Sequence, residues 1–252
     1  MPTQSEKAIA FRALHEGASF VIPNAWDAGS ACVLEGLGFV ALATTSSGFA
    51  FTLGRRDGGA GLNEVADHAS ALDDATELPV SVDLENGYGP DPDDAARAIE
   101  RIAEAGAVGG SIEDYDPAGH LYERSHAVER IAAAVGAARA LPFPFTLTAR
   151  AENHIRGNPD LEDTIERLLA FERAGRTSST RPVCRPSRRF GRYARRSRGR
   201  STSWRFRCSA RLRRSPRPAR SGSASAGSSR GSPYRRSSTP RRRSARRVTS
   251  TC

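Results

Sequence analysis

Lysine is nearly missing from this chain of 252 residues: among its 38 basic side chains only Lys7 is not an arginine. Lysine codons are AT-rich, so the scarcity fits a GC-rich gene. Acids are missing too, but only from one end. From Arg176 to Cys252 there is no Asp, Glu or Lys against 25 Arg, whereas residues 1–175 hold all 28 acids against 13 basic residues. The overall charge of +10 thus averages an acidic body of −15 and a basic end of +25. Cysteine is scarce as well, and three of the four (Cys184, Cys208, Cys252) lie in the basic end. Cys32, inside an apolar helical pattern, reads as a buried core thiol, which excludes a disulfide framework and a CxxC metal site. No apolar run approaches a membrane span, and "MPTQSEKAIAFRALHEG" lacks the apolar stretch of a signal peptide. These absences suit an acidic, cytoplasmic, enzyme-like body, long enough for one large α/β domain or two small ones.

What is present alternates between two periods. Short β-rich runs, "SFVIPNA" (19–25), "GFVALATT" (38–45), "LPVSVDLE" (78–85), "VGGSIED" (108–114) and "FTLTARAE" (145–152), are separated by helical patterns such as "DPDDAARAIERIAEAG" and "DLEDTIERLLAFERAG". Apolar residues in the helical segments recur at i, i+3 and i+4, as in helices laid on a sheet. The near-continuous apolar runs suit parallel strands buried on both faces. Five such βα units indicate a doubly wound sheet or a (β/α)8 barrel. Each run ends in polar groups, which in a barrel converge on one mouth at the C-terminal strand ends. No GxGxxG follows the first strand, so a dinucleotide site is disfavoured and a TIM-type (β/α)8 barrel is expected.

Asp83 and Glu85 stand two apart on a strand, which predicts one shared face, and Glu113 closes the next strand. Three carboxylates around one mouth repel unless a cation or a shared proton intervenes. All-oxygen ligands without a His or Cys cluster point to Mg2+ or Mn2+; the alternative is solvated acids in βα loops. Arg150 has the planar fork that suits a substrate carboxylate, or it pairs with Asp or Glu. Ser46, Ser47 and Gly48 offer hydroxyls and a free backbone amide to an anion, or form an ordinary turn. The acids of "PDPDD" (90–94) suit the cap of the following helix.

The segments "IPNAWDAGSACVLEGLGFVALATTSSG", "LPVSVDLENGYG", "AGAVGGSIED" and "LTARAEN" closely resemble the isocitrate lyase/phosphoenolpyruvate mutase superfamily, in order over residues 8–175. The resemblance implies a (β/α)8 barrel, usually a tetramer with its last helix exchanged between subunits. It also implies Mg2+-dependent making or breaking of C–C or P–C bonds beside a 2-oxo acid. Asp83 and Glu85 match the metal-site acids, with Glu113 joining through water. Ser46 and Gly48 match the segment holding the substrate carboxylate, Asp57 an acid in the loop after the second strand, and Arg150 the arginine ending the fifth. One departure narrows the implied activity. Isocitrate and methylisocitrate lyases carry a Lys-Lys-Cys-Gly-His loop after the fourth strand, where this chain has "DYDPAGHLYERSH"; the mutases' gating loop is not evident either. His120 and Tyr122 are the local proton donors, although a loop histidine is commonly just solvated. A decarboxylase, hydrolase or lyase of a small oxaloacetate-like 2-oxo acid is therefore expected, and not an isocitrate lyase.

Five strands leave such a barrel incomplete, and the basic end reads as out-of-frame translation. Residues 176–185, "RTSSTRPVCR", can be spelled CGG ACG TCC TCT ACG CGC CCG GTC TGC CGT. Started one base earlier, the same letters read Ala-Asp-Val-Leu-Tyr-Ala-Pro-Gly-Leu-Pro, resembling the family's sixth strand. Residues whose codons begin with T, at 178, 179, 184, 187, 190, 193 and 197, become apolar on the shift, because second-base T always encodes an apolar residue. The rival reading is an arginine-rich arm that grips nucleic-acid phosphates through counterion release. On either reading, residues 176–252 are expected to be disordered, being too polar and self-repelling to pack, and to bind polyanions non-specifically.

Overall fold

The computed structural model describes residues 1–175 and 178–180. The chain opens with α1 (Gln4–Glu16), a helix that the run of strand signals gave no reason to expect. Then come α2 (Ala28–Gly36), β1 (Leu42–Ala43), α3 (Ser46–Thr52), α4 (Leu62–Ala75), β2 (Val80–Asp83) and α5 (Pro92–Glu104). After β3 (Gly109–Glu113) a two-stranded antiparallel hairpin, β4 (Tyr115–Asp116) and β5 (His120–Leu121), precedes α6 (Arg124–Ala140). β6 (Thr146–Arg150), α7 (Leu161–Arg173) and β7 (Ser178–Thr180) complete the described chain.

The main sheet has the order β1-β2-β3-β6-β7 with every pair parallel. That order is also chain order. A doubly wound sheet would reverse direction at a switch point, so stepping always to the next position is barrel winding. The fold is TIM-barrel-like, as the sequence leads one to expect. The first expected strand, 19–25, is reduced to one parallel bridge between Asn24 and Ala43. Pro23 has no amide to donate there, although its carbonyl still accepts from the Ala43 amide at 3.0 Å.

One expectation is corrected just beyond Gly175. Residues 178–180 pack as β7, pairing with Thr148–Arg150 of β6. Backbone ladder bonds do not depend on side-chain polarity, and an open strand edge offers them to any extended segment. The remaining expectations for the basic end, at 176–177 and 181–252, lie outside the described residues. No helix among the described residues is long and apolar enough to cross a membrane.

Packing follows the two periods. In α5 the buried stripe is Ala95, Ala98, Ile99 and Ile102, and in α6 it is Ala127, Ile131, Ala134, Val135 and Ala138. In β2, Val80 and Val82 are buried and face the helices, while Ser81 and Asp83 are half-buried on the opposite face. The acids of "PDPDD" do cap: Asp94 accepts from the Asp91 amide at 2.9 Å, and Pro92 opens α5. Cys32 is half-buried rather than buried, its thiol donating to the Ala75 carbonyl at 3.3 Å. The helix around it leaves Val33 and Leu37 exposed, at 62% and 70%, so its apolar pattern is not a fully buried one.

α1 crosses the end of the sheet away from the polar strand ends. Phe11, 1% exposed, anchors a small cluster with Ala8, Ala41 and Val108. Its ring lies where a β-carbon on Gly109 would stand, 2.7 Å from that position, so only glycine fits the start of β3. Gln4 donates to the Ala103 and Ala107 carbonyls at 2.6 and 3.1 Å, at the C-terminal end of α5. Lys7, 4% exposed, does the same for α4: its ammonium reaches the Asp73 carboxylate at 2.6 Å and the Asp73 and Thr76 carbonyls at 3.3 and 2.9 Å. A cation there meets the negative end of the α4 dipole.

Candidate active site

The strand order brings together the C-terminal ends of β2, β3 and β6, and Arg150 sits at their centre. Its guanidinium reaches Asp83 at 2.9 Å, Glu113 at 2.9 Å and Glu152 at 3.0 Å. The parallel register explains this, because Glu113 pairs directly with Arg150, and Asp83 with Ser111 two residues before Glu113. Burial disfavours the charge of Arg150, but Asp83, Glu113 and Glu152 outweigh it and hold the guanidinium even more firmly protonated. A second arginine, Arg156, meets Glu113 at 3.3 Å and Glu152 at 3.6 Å, and lies 4.0 Å over the Tyr115 ring. The sequence reading did not single it out. The signal was the i, i+4 pair Glu152 and Arg156 directly after a strand that itself ends in arginine.

Ser46 binds Asp83 twice, through its amide at 3.2 Å and its hydroxyl at 3.1 Å, and its hydroxyl lies 3.5 Å from Asp57. Thr44 accepts from the Asp83 amide at 2.8 Å, and Ser111 donates to the Asp83 carboxylate at 3.4 Å. The expected free amide at this segment is not that of Ser46 or of Gly48. Gly48 donates to Thr45 at 3.4 Å, and the Ser47 and Thr45 hydroxyls lie 3.2 Å apart. The reason is that Ser46–Thr52 is a helical turn with Thr45 as its N-cap, which takes the Gly48 amide, while Asp83 takes that of Ser46. Gly48 is also wedged: a β-carbon there would lie 2.7 Å from the Trp26 indole nitrogen.

The expected strand alternation between Asp83 and Glu85 is corrected as well. β2 stops at Asp83, and Glu85 adopts a left-handed backbone with φ 50°. Its amide turns back to Asp83 at 3.3 Å, and its carbonyl accepts from Glu113 at 2.8 Å. The carboxylates still crowd one another. Burial, then Asp83 and Asp57, push the Glu85 carboxyl up to about 7. Burial also pushes Glu113 up to about 7, with Glu152 and Asp83 adding to it and Arg150 and Arg156 opposing. Five acids (Asp57, Asp83, Glu85, Glu113 and Glu152) thus face two arginines, an excess of negative charge that a hard cation or protons would relieve.

His120 is not brought to this cluster. It stands exposed on β5 opposite Asp116, its ring 6.0 Å from and edge-on to Tyr122. Tyr122 is buried, its hydroxyl donating to Asp116 at 2.7 Å and accepting from Asn86 at 2.9 Å. No three acids, histidines or cysteines among the described residues converge tightly enough to hold a metal ion as they stand. Arg150 occupies the space among Asp83, Glu113 and Glu152. The donor set nonetheless fits a hard divalent cation: all-oxygen, with excess negative charge and two carboxyls held near neutrality.

Comparison with known proteins gives the family. The phosphoenolpyruvate phosphomutase family model matches residues 11–186. A solved structure from Burkholderia cenocepacia J2315, carrying a provisional lyase/mutase assignment, is 51% identical with a TM-score of 0.73, covering 76% of this chain and 70% of that one. The 2-methylisocitrate lyase of Halalkalibacterium halodurans is 33% identical over 179 residues, 69% of this chain and 59% of that enzyme. An oxaloacetate acetylhydrolase structure is 29% identical with a TM-score of 0.70, over 77% of this chain and 69% of its own. The chain spans about 60% of the length of the first curated relatives it matches and about 40% of others. With a parallel barrel-like sheet, an arginine among carboxylates at its strand ends and a family match over most of its length, the chain belongs to the phosphoenolpyruvate phosphomutase family of the PEP mutase/isocitrate lyase superfamily, whose members include carbon–carbon lyases.

Proposed function

We propose that residues 1–175 carry most of the site of a divalent-metal-dependent lyase, decarboxylase or hydrolase that cleaves a C–C or P–C bond beside a small 2-oxo acid through an enolate, with oxaloacetate as the nearest simple substrate. The observation that carries this reading is Arg150 held among Asp83, Glu113 and Glu152. The names of the relatives, 2-methylisocitrate lyase and oxaloacetate acetylhydrolase, support the same chemistry. Mg2+ or Mn2+ would be held by Asp83 and Glu85, with Glu113 beside them. When bound, it supplies Lewis-acid stabilisation for negative charge on the 2-oxo oxygen. The chain's own groups do the rest. Arg150 presents its fork to an anionic carboxylate, trading its carboxylate partners for the ligand. Ser46 orients Asp83 through two hydrogen bonds, and Asp57 stands within reach of the same hydroxyl. Glu113, poised near neutrality, can hold or release a proton at its carboxyl oxygen.

The same proposal covers the basic end. Residues 176–252 are out-of-frame translation, so the chain as written does not carry the family-like sequence of the remaining barrel strands and is inactive, and the tetramer implied by resemblance is lost. What supports this reading is the composition, 25 Arg with no Asp, Glu or Lys from Arg176 onward, together with the shifted letters that restore a strand-like Ala-Asp-Val-Leu-Tyr. β7 itself does not decide it, since an open edge pairs with any extended segment.

The test is a pair of proteins, the chain as written and one whose gene has a single base restored between codons 175 and 176. Release of oxalate or pyruvate from oxaloacetate is followed with Mg2+ and with a chelator. Chelator-sensitive turnover is expected in the restored protein alone. There Asp83→Asn and Arg150→Met should each lower kcat about 100-fold or more. Metal-independent turnover, or full turnover by the chain as written, would sink the corresponding part of the proposal.

A further inference from the structure

The most deeply buried charge in the described chain is not in the site. Arg130, on α6, is 1% exposed. Desolvation on this scale normally demands a carboxylate partner. Arg130 instead directs its fork at backbone: it donates to the Gly89 carbonyl at 2.7 Å, to the Pro90 carbonyl at 2.6 Å and to the Asn86 carbonyl. Its guanidinium also lies 4.4 Å over the Tyr122 ring, whose hydroxyl accepts from the Asn86 side chain. All of these contacts grip one segment, Asn86–Pro90, from behind.

That segment needs gripping. Glu85 and Tyr88 hold left-handed backbones at φ 50° and 62°, the two non-glycine residues of the described chain that do so, and Gly87 between them is at 88°. Strain of this kind persists only where the surroundings enforce it. Gly87 lies against the same guanidinium, 3.4 Å from where a β-carbon would be. The turn sets where Glu85 stands relative to Asp83 and Asp57.

We infer that Arg130 is a positioning residue: its three carbonyl contacts and its stacking on Tyr122 hold the Asn86–Pro90 turn, and through it fix the Glu85 carboxylate at the site. It touches no reacting atom. The turn-holding half stands on the geometry alone, whereas the metal half rests on the function proposed above.

Two readouts on the chain as written separate these halves. Amide exchange is followed by mass spectrometry across all peptides, and binding of Mn2+ alone by the electron paramagnetic signal of the free ion. Arg130→Met and Arg130→Lys are compared with Leu72→Ala, a core truncation on α4, outside the turn. Lysine keeps the charge but cannot span three carbonyls, and it covers the case in which the methionine variant fails to fold. In the Arg130 variants, peptides spanning 84–90 should exchange about tenfold faster while distant helices stay protected. Mn2+ should bind about tenfold or more weakly. Unchanged exchange over 84–90, or loss of protection spread evenly over the chain as in Leu72→Ala, overturns the inference. Selective loss at 84–90 with Mn2+ binding intact keeps the turn but overturns the link to Glu85. Where the chain as written binds no Mn2+, the same comparison is made in the frame-restored protein, and no Mn2+ binding there defeats that link together with the metal-dependent reading, leaving the exchange result to decide the turn.

Discussion

At the scale of single residues, the site is a contest between burial and charge. Glu113 touches two arginines and is still pushed up to about 7, because lost hydration outweighs them. Elsewhere the same term acts on a histidine. His68 is buried on α4 and stacked on Phe49 at 4.1 Å, its Nε2 without a partner, and burial lowers its pKa although Asp27 opposes. The unfolded chain therefore takes up a proton near pH 6.5 that the folded chain refuses. Stability unaffected by His68 above that pH is lost as pH falls below it. His68→Phe, which keeps the stacking and removes the titration, should shrink the loss between pH 7 and pH 5 in urea melts. An equal loss in both proteins would place the pH dependence elsewhere.

At the scale of elements, the helices and inner strands were legible because each carries one clear period. The stripe Ala95, Ala98, Ile99, Ile102 has only one reading, and so does "VSVD" beside it. The site was legible to the extent that polar residues end those strands: Asp83, Glu113 and Arg150 are where alternation and order put them. What was not legible depended on tertiary partners. Glu85 leaves its strand because a turn gripped from α6 pulls it into a left-handed conformation, and no local pattern announces that. Arg130 looks like any arginine of an amphipathic helix until its burial is known. α1 is similar: its hydrophobic content is modest, and it docks through Phe11 together with Gln4 and Lys7, which cap helix ends more than 65 residues away. Phe11→Ala should cost about 3 kcal/mol in equilibrium unfolding, at the low end for a fully buried ring because the cluster around it is small. A cost under about 1 kcal/mol would mean that α1 does not depend on that ring.

At the scale of the whole molecule, composition divides the chain in two. Residues 1–175 are acidic and family-like; residues 176–252 carry 25 arginines and no acid. Whatever its origin, such a sequence releases counterions on meeting a polyanion. The full chain should bind single-stranded DNA and heparin alike, with a log affinity that falls linearly with log salt, whereas the frame-restored protein should bind neither. Binding that discriminates strongly between nucleic acid and heparin would favour an evolved arm over mistranslation. The described part also keeps apolar side chains in water early in the chain: Val21, Val33, Leu37 and Phe51 are between 56% and 70% exposed.

One feature of α1 makes the chain its own reporter. Its single lysine is the one that clamps α1 to α4, almost wholly out of solvent. Acylating reagents aimed at side-chain amines have one target, and that target opens only when the first helix lifts. The modification rate of Lys7 is therefore a clock for that opening, and Phe11→Ala should make it run faster before any change appears in the far-ultraviolet spectrum.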